Sequence, residues 1–170
     1  MEFLESFYII GAYVRTTNQD CKSIIDIPGL WNKFMSEGII NTIPNKIDDK
    51  IYCVYAEYES DHLNPYTTIL GCKVSSLDEV PEGLKGIILP GGRFKKYVAH
   101  GDPQTGSVYS KWIEIWNSDL NRAYNADYEV YDERCIEADE WSHERHKELK
   151  SPIGELKRFI KKAEDFKKGI

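Results

Sequence analysis

The order of elements along this chain runs through once and then starts again, and that restricts the fold more than any other feature of the sequence. Residues 7–15, "FYIIGAYVR", carry the β-branched and aromatic side chains that suit a pleated surface, with Gly11 as a candidate bulge. "DIPGLWNKFM" (26–35) opens as a helix: Asp26 is placed to cap it, Pro28 suits the first turn, and Leu30, Trp31 and Phe34 fall on one face. Gly38 follows as a stop signal. "KIYCVYAEYE" (50–59) and "YTTILGCKVS" (66–75) read as strands joined by the polar "SDHLNP". After a connector at 75–83, "GIILPGGRFKKYVAHG" (86–101) reads as strand, glycine interruption, strand. "VYSKWIEIWNSDL" (108–120) is helical, with Trp112, Ile113 and Trp116 at helical spacing, and "DYEVYDERC" (127–135) is again a strand.

Each half thus runs strand, helix, strand. The tetrapeptides "YCVY" (52–55) and "YEVY" (128–131) match at three of four positions, each after a helix that carries a tryptophan. An internal duplication in an α+β fold is the expectation, and under it Glu129 takes the place that Cys53 holds in the first half. Side chains alternate along a strand, so Glu129 shares one face with Asp127 and Tyr131 while Tyr128 and Val130 share the other. Periodicity alone leaves two readings of Glu129: an edge carboxylate in water, or a carboxylate held inside.

After 135 the pattern breaks. Residues 136–150 are charged and show no alternation. Residues 151–170 read as a helix capped by Ser151, with Pro152 in the first turn and an apolar stripe of Ile153, Leu156, Phe159, Ile160, Ala163 and Phe166. Two regions are expected: a domain at 1–136, and a charged segment with an amphipathic helix at 137–170.

A chain of 170 residues is long enough for one domain with a real core. Its formal net charge of −6 argues against a dedicated nucleic-acid binder, which would show a basic surface. No run approaches the roughly 20 apolar residues that a membrane span needs. The start, "MEFLESFYIIGAYV", has neither a basic n-region nor a cleavage site. Cys21, Cys53, Cys72 and Cys135 are far apart with no C-x-x-C pair, so reduced thiols in a cytoplasm are expected.

The segments "RTTN", "IPGLWNKF", "YCVYAEYESDHLNPYTTILGCKVSSL", "LPGGRFKKYVAHG", "WIEIWNS" and "DYEVYDERC" occur in an order that resembles the GyrI-like small-molecule-binding family. This is the effector-binding domain of AraC-type and multidrug-sensing transcription activators, and the resemblance covers roughly residues 3–135. It implies duplicated strand–helix–strand–strand halves related by a pseudo-twofold axis, with a cleft between them for small lipophilic or cationic compounds. It also implies that an acidic residue in the second half's middle strand lies at the floor of that cleft, and here the position is Glu129. The family's final alternating strand has no obvious match after Cys135. The chain begins with the first strand rather than a helix-turn-helix domain, which implies a stand-alone member.

An acid among aromatic rings is a receptor for organic cations, because ring faces attract positive charge and burial costs the carboxylate its hydration. The candidate ligand-binding residues are Glu129, Tyr131, Tyr55, Cys53, Trp31, Phe34, Trp112 and Trp116. For the tyrosines the competing reading is simple core packing; for Trp31, Phe34, Trp112 and Trp116 core packing is the commoner role of such helix-borne aromatics. For Cys53 the default is a buried, inert thiol. "HERH" (143–146) reads as a solvated charged segment rather than a metal site, and "PGGR" (90–93) has neither the spacing nor the ending of a P-loop. No metal site and no cofactor are expected.

Three function classes follow. The first is a cytoplasmic binding protein that senses or sequesters a small lipophilic or cationic compound. It would work with no direct nucleic-acid or membrane contact, as a homodimer or beside a separate regulator. The second is a hydrolase that opens strained, cyclopropane-type rings in toxic compounds, with Glu129 as general base on water helped by a tyrosine hydroxyl. The third is a protein-interaction role such as gyrase inhibition, for which the residues offer no specific support.

Overall fold

The computed structural model describes residues 1–100 and 106–132. In chain order these form β1 (Glu2–Leu4), β2 (Phe7–Thr16), α1 (Lys22–Ser36), β3 (Ile51–Ala56), β4 (Tyr66–Val74), β5 (Lys85–Leu89), β6 (Gly92–Phe94), α2 (Ser107–Trp116) and β7 (Ala126–Tyr131). Among the described residues there is a five-stranded antiparallel sheet of order β5-β2-β4-β3-β7 and a small β1-β6 pair. No helix among them is long and apolar enough to cross a membrane.

Two of the three interior strands lose the alternation expected of a half-exposed sheet: every residue of β3, and all of β4 except Lys73, is buried. Both of their faces are covered. One face holds the core of Ile9, Val54, Ala56, Ile69, Leu89 and Ala126, with Tyr52 and Tyr128. The sheet curls until Phe7 on β2 and Phe94 on β6 meet the ring of Tyr128 on β7, at 5.5 and 5.8 Å between centroids. On the other face lie the remaining buried residues of the same strands, and α1 packs there against β2 and β4, burying Leu30 and Phe34.

Several expectations are corrected. Gly11 is not a bulge: Tyr8–Thr16 pair with Val74–Tyr66 without a break, and Gly11 lies opposite Gly71. A Cβ on Gly11 would sit 2.2 Å from the Leu70 carbonyl oxygen, so the residue is glycine because the two backbones approach too closely for a side chain. The first helix begins at Lys22 rather than at Asp26, and it contains Pro28. Cys21 in the left-handed region and a Ser23 N–H to Thr17 carbonyl bond set its start (3.0 Å). Pro28 is exposed, so the carbonyl that loses its N–H partner can turn to water. The strand expected through residue 101 stops at Phe94, because β6 pairs only with the short β1.

The duplication is visible in the pairing itself. In β3-β7, Cys53 lies opposite Glu129. The sequence offset that carries Tyr52–Tyr55 onto Tyr128–Tyr131 carries Cys53 onto Glu129, so the pair maps onto itself. The same offset relates Ile10 to Gly86, which are opposite one another in β2-β5. A local twofold therefore passes through both strand pairs. The final strand that the family resemblance implies for the second half, and the C-terminal helix expected at 151–168, are calls that lie outside the described residues.

Candidate ligand-binding site

Cys53 and Tyr55 on β3, and Asp127, Glu129 and Tyr131 on β7, share the sheet face turned away from the core cluster. Each helix delivers one tryptophan to this group. Trp31 from α1 stands edge-on to Tyr131, with centroids 4.9 Å apart and planes at 77°. Trp112 from α2 stands edge-on to Tyr55, at 5.3 Å and 87°. The two contacts are related by the local twofold, each helix serving the tyrosine of the opposite half's middle strand. Such edge-to-face pairs contribute about 0.5–1.5 kcal/mol beyond their buried area.

Glu129 lies at the centre. Its Oε1 accepts from the Tyr55 hydroxyl at 3.0 Å and from the Trp112 indole N–H; its Oε2 accepts from the Tyr131 hydroxyl at 2.6 Å. An indole N–H can only donate, and the hydroxyls are oriented as donors, so the shell suits an ionised carboxylate. Burial nevertheless raises its pKa above the ordinary carboxylate range, against the pull of the three bonds from Trp112, Tyr131 and Tyr55. Among the described residues no cation answers its charge. Asp127, two positions earlier on the same face, is paired with Arg122 at 2.6 Å.

The Cys53 thiol contacts the Tyr55 oxygen at 3.4 Å. Burial first, then the charge of Glu129, push its pKa well up, so it stays a neutral thiol. Burial also pushes Tyr55 well up and keeps its hydroxyl a donor. Phe34 is fully buried in the packing of α1. Trp116 lies one ring beyond Trp112, 6.1 Å between centroids, and stacks on His62 at 5.1 Å and 14°.

A second group adjoins the first and escaped the reading of the sequence. Asp127 Oδ2 accepts from Tyr58 at 2.9 Å as well as from Arg122. The Arg122 guanidinium lies 4.5 Å over the Tyr124 ring and 5.9 Å over Trp112. His62 Nδ1 is 3.3 Å from the Tyr124 hydroxyl, and burial first, then Arg122, hold the imidazole's pKa below its ordinary value. Asp127 was legible as sharing the face of Glu129. Arg122, Tyr124 and His62 sit in connecting segments, where no periodicity announces a partner. A separate cavity of about 480 Å³ lies between Lys85–Pro90 and Asn125–Ala126, away from Glu129.

The antiparallel sheet with its two helices is the fold of the effector-binding class of small-molecule-binding domains. The family model for Cass2, the integron-associated effector binding protein, matches residues 1–154, and the chain belongs to this GyrI-like family. The integron cassette protein VCH_CASS2, from the mobile metagenome of Vibrio cholerae, is 29% identical and superposes with a TM-score of 0.57 over 77% of this chain and 86% of that one. The structure of SAV2435 bound to tetraphenylphosphonium shares the fold at 16% identity, with a TM-score of 0.58 over 78% of this chain and 84% of that one. YobU of Bacillus subtilis (strain 168), provisionally assigned as a transcriptional regulator, is 27% identical over 112 residues, 64% of this chain and 70% of its own length.

Proposed function

We propose that the protein binds a small lipophilic organic cation, for sensing or sequestration, with Glu129 as the counter-charge and Tyr55, Tyr131, Trp31 and Trp112 as the aromatic wall. The observation that carries this reading is the contrast between neighbours on one strand face. Asp127 has its cation within the fold, and Glu129, in a more aromatic setting, has only neutral donors among the described residues. A partly buried carboxylate raised by desolvation gains most when a ligand brings the missing charge. An aromatic face that meets a bound cation adds about 0.5–2 kcal/mol. The tetraphenylphosphonium bound to SAV2435, a relative in fold, is a ligand of this chemistry.

Calorimetric titration of the full chain with tetraphenylphosphonium and with neutral triphenylphosphine oxide tests the reading. Glu129→Gln removes charge at nearly constant volume, and the expected loss is roughly ten- to hundredfold for the cation, with little change for the neutral compound. Equal losses for both would show that the charge is not what the site uses.

The hydrolytic alternative asks Glu129 to take a proton from water, and its Oε1 already accepts two bonds and its Oε2 one. That arrangement favours holding a charge over moving a proton. Glu129-dependent product formation from a strained-ring compound would reverse the preference.

A further inference from the structure

The site next to Glu129 contains a donor that the fold does not use. Arg122 has a side chain only 10% exposed, and its Nη2 bonds to Asp127 Oδ2 at 2.6 Å. Its Nη1 is buried and has no hydrogen-bond partner among the described residues. A guanidinium can grip a carboxylate with both terminal nitrogens. Here it does not, because the single oxygen Asp127 Oδ2 takes both Arg122 and Tyr58. A buried N–H left without an acceptor is costly, and folded proteins retain few such groups without a use for them.

The position of the guanidinium says where that use lies. It stacks over Tyr124 and reaches over the ring of Trp112, the same indole whose N–H bonds Glu129. Trp112 is thus the common wall of two polar stations: a carboxylate at its N–H edge and a spare guanidinium donor over its ring. Because Asp127 already balances the charge of Arg122, the unused nitrogen calls for a hydrogen-bond acceptor rather than a second full negative charge.

We infer that Arg122 Nη1 is a ligand-recognition donor, and that the ligand carries a neutral oxygen acceptor of the ketone or amide class about one aromatic ring away from the part held at Glu129. This deepens the cation reading above and rests on the same site. A molecule satisfying both stations is an aromatic cation with a carbonyl at its far end.

The test uses two matched pairs of probes on the full chain. One pair is (4-acetylbenzyl)triphenylphosphonium and (4-isopropylbenzyl)triphenylphosphonium; the other is neutral, 4-acetylbiphenyl and 4-isopropylbiphenyl. Within each pair the size is nearly constant: a methyl group replaces the carbonyl oxygen, and the carbon bearing it changes from planar to tetrahedral. The wild type is expected to prefer the ketone by roughly tenfold, the increment of a hydrogen bond from a charged donor. Arg122→Lys, which keeps a charge beside Asp127 but loses the second fork nitrogen, should erase that preference, bringing the two affinities within each pair together. Glu129→Gln should weaken both phosphonium probes alike and preserve their ratio, so the two readings fail separately. Should only the neutral pair bind, an Arg122-dependent ketone preference there still upholds the inference. Equal affinities within both pairs in the wild type, binding of none of the four probes, or a ketone preference that survives in Arg122→Lys would each overturn it; the wild-type comparison stands even if the variant does not fold.

Discussion

Cys53 and Glu129 lie directly opposite one another in the β3-β7 ladder, at the point where the local twofold crosses the sheet. One symmetric position is thereby given two chemistries. A neutral thiol sits on one side and a carboxylate on the other, between two tyrosine–tryptophan contacts that are otherwise equivalent. The frame is nearly symmetric and the charge on it is not, and the proposed preference for one sign of ligand rests on that difference.

The first prediction concerns pH and binding. Because burial raises Glu129 above the ordinary carboxylate range, cation affinity should fall as pH drops through a window lying above that range. Titrations with tetraphenylphosphonium across acidic to neutral pH should show the decline in the wild type and a flat response in Glu129→Gln. A wild-type curve that turns down only below the ordinary value near about 4.3 would contradict the raised carboxylate.

The same group sets a slope in stability. The native state holds the Glu129 proton more tightly than the unfolded chain does. Between the ordinary glutamate value and the raised one, folding therefore takes up a proton, and stability contributed by this group falls as pH rises. Above the raised value the contribution levels off. Urea unfolding at several pH values should show this component, and it should vanish in Glu129→Gln.

Tyr131→Phe removes the donor to Oε2 and keeps the ring against Trp31. Hydrogen bonding to the ionised form lowers a carboxylate's pKa, so losing it should move the midpoint of the binding–pH curve further up. Tyr55→Phe should do the same through Oε1. An unchanged midpoint in both variants would mean that the hydroxyls do not address the charge.

Phe34 and Trp31 share α1 and were equal candidates in the sequence, yet Phe34 is fully buried while Trp31 meets Tyr131. Phe34→Ala should cost about 3–5 kcal/mol of stability by leaving a cavity. Trp31→Ala should cost less and weaken ligand binding more. Paired denaturation and calorimetry on the two variants decide this, and the reverse ordering would remove Trp31 from the site.

Gly11→Ala places a methyl group 2.2 Å from the Leu70 carbonyl oxygen, against backbone that cannot swing aside. Destabilisation of about 1–3 kcal/mol, the range for overpacking, is expected in urea unfolding. Gly29→Ala, on α1 with open space around it, is the control and should be neutral to stabilising.

The sequence by itself determined the kinds and order of the longer elements and the duplication, because strand alternation, helical spacing and the repeated Tyr-x-Val-Tyr are local or periodic signals; the three-residue β1 is too short to carry such a signal. It also marked Glu129 as out of place among β-formers, and it put Asp127 and Tyr131 on the same face by strand parity alone. Tertiary structure decided the rest. The Gly11–Gly71 approach depends on which strands become neighbours, and no local signal separates it from a bulge. Pro28 inside α1 is tolerated because of which side of the helix meets solvent, which is fixed by packing. The difference between Asp127 and Glu129, two acids on one strand face, depends on Arg122 reaching back from the segment after α2 to one carboxylate and not the other. A charge partner is chosen by distance in space, and a single sequence records only distance along the chain.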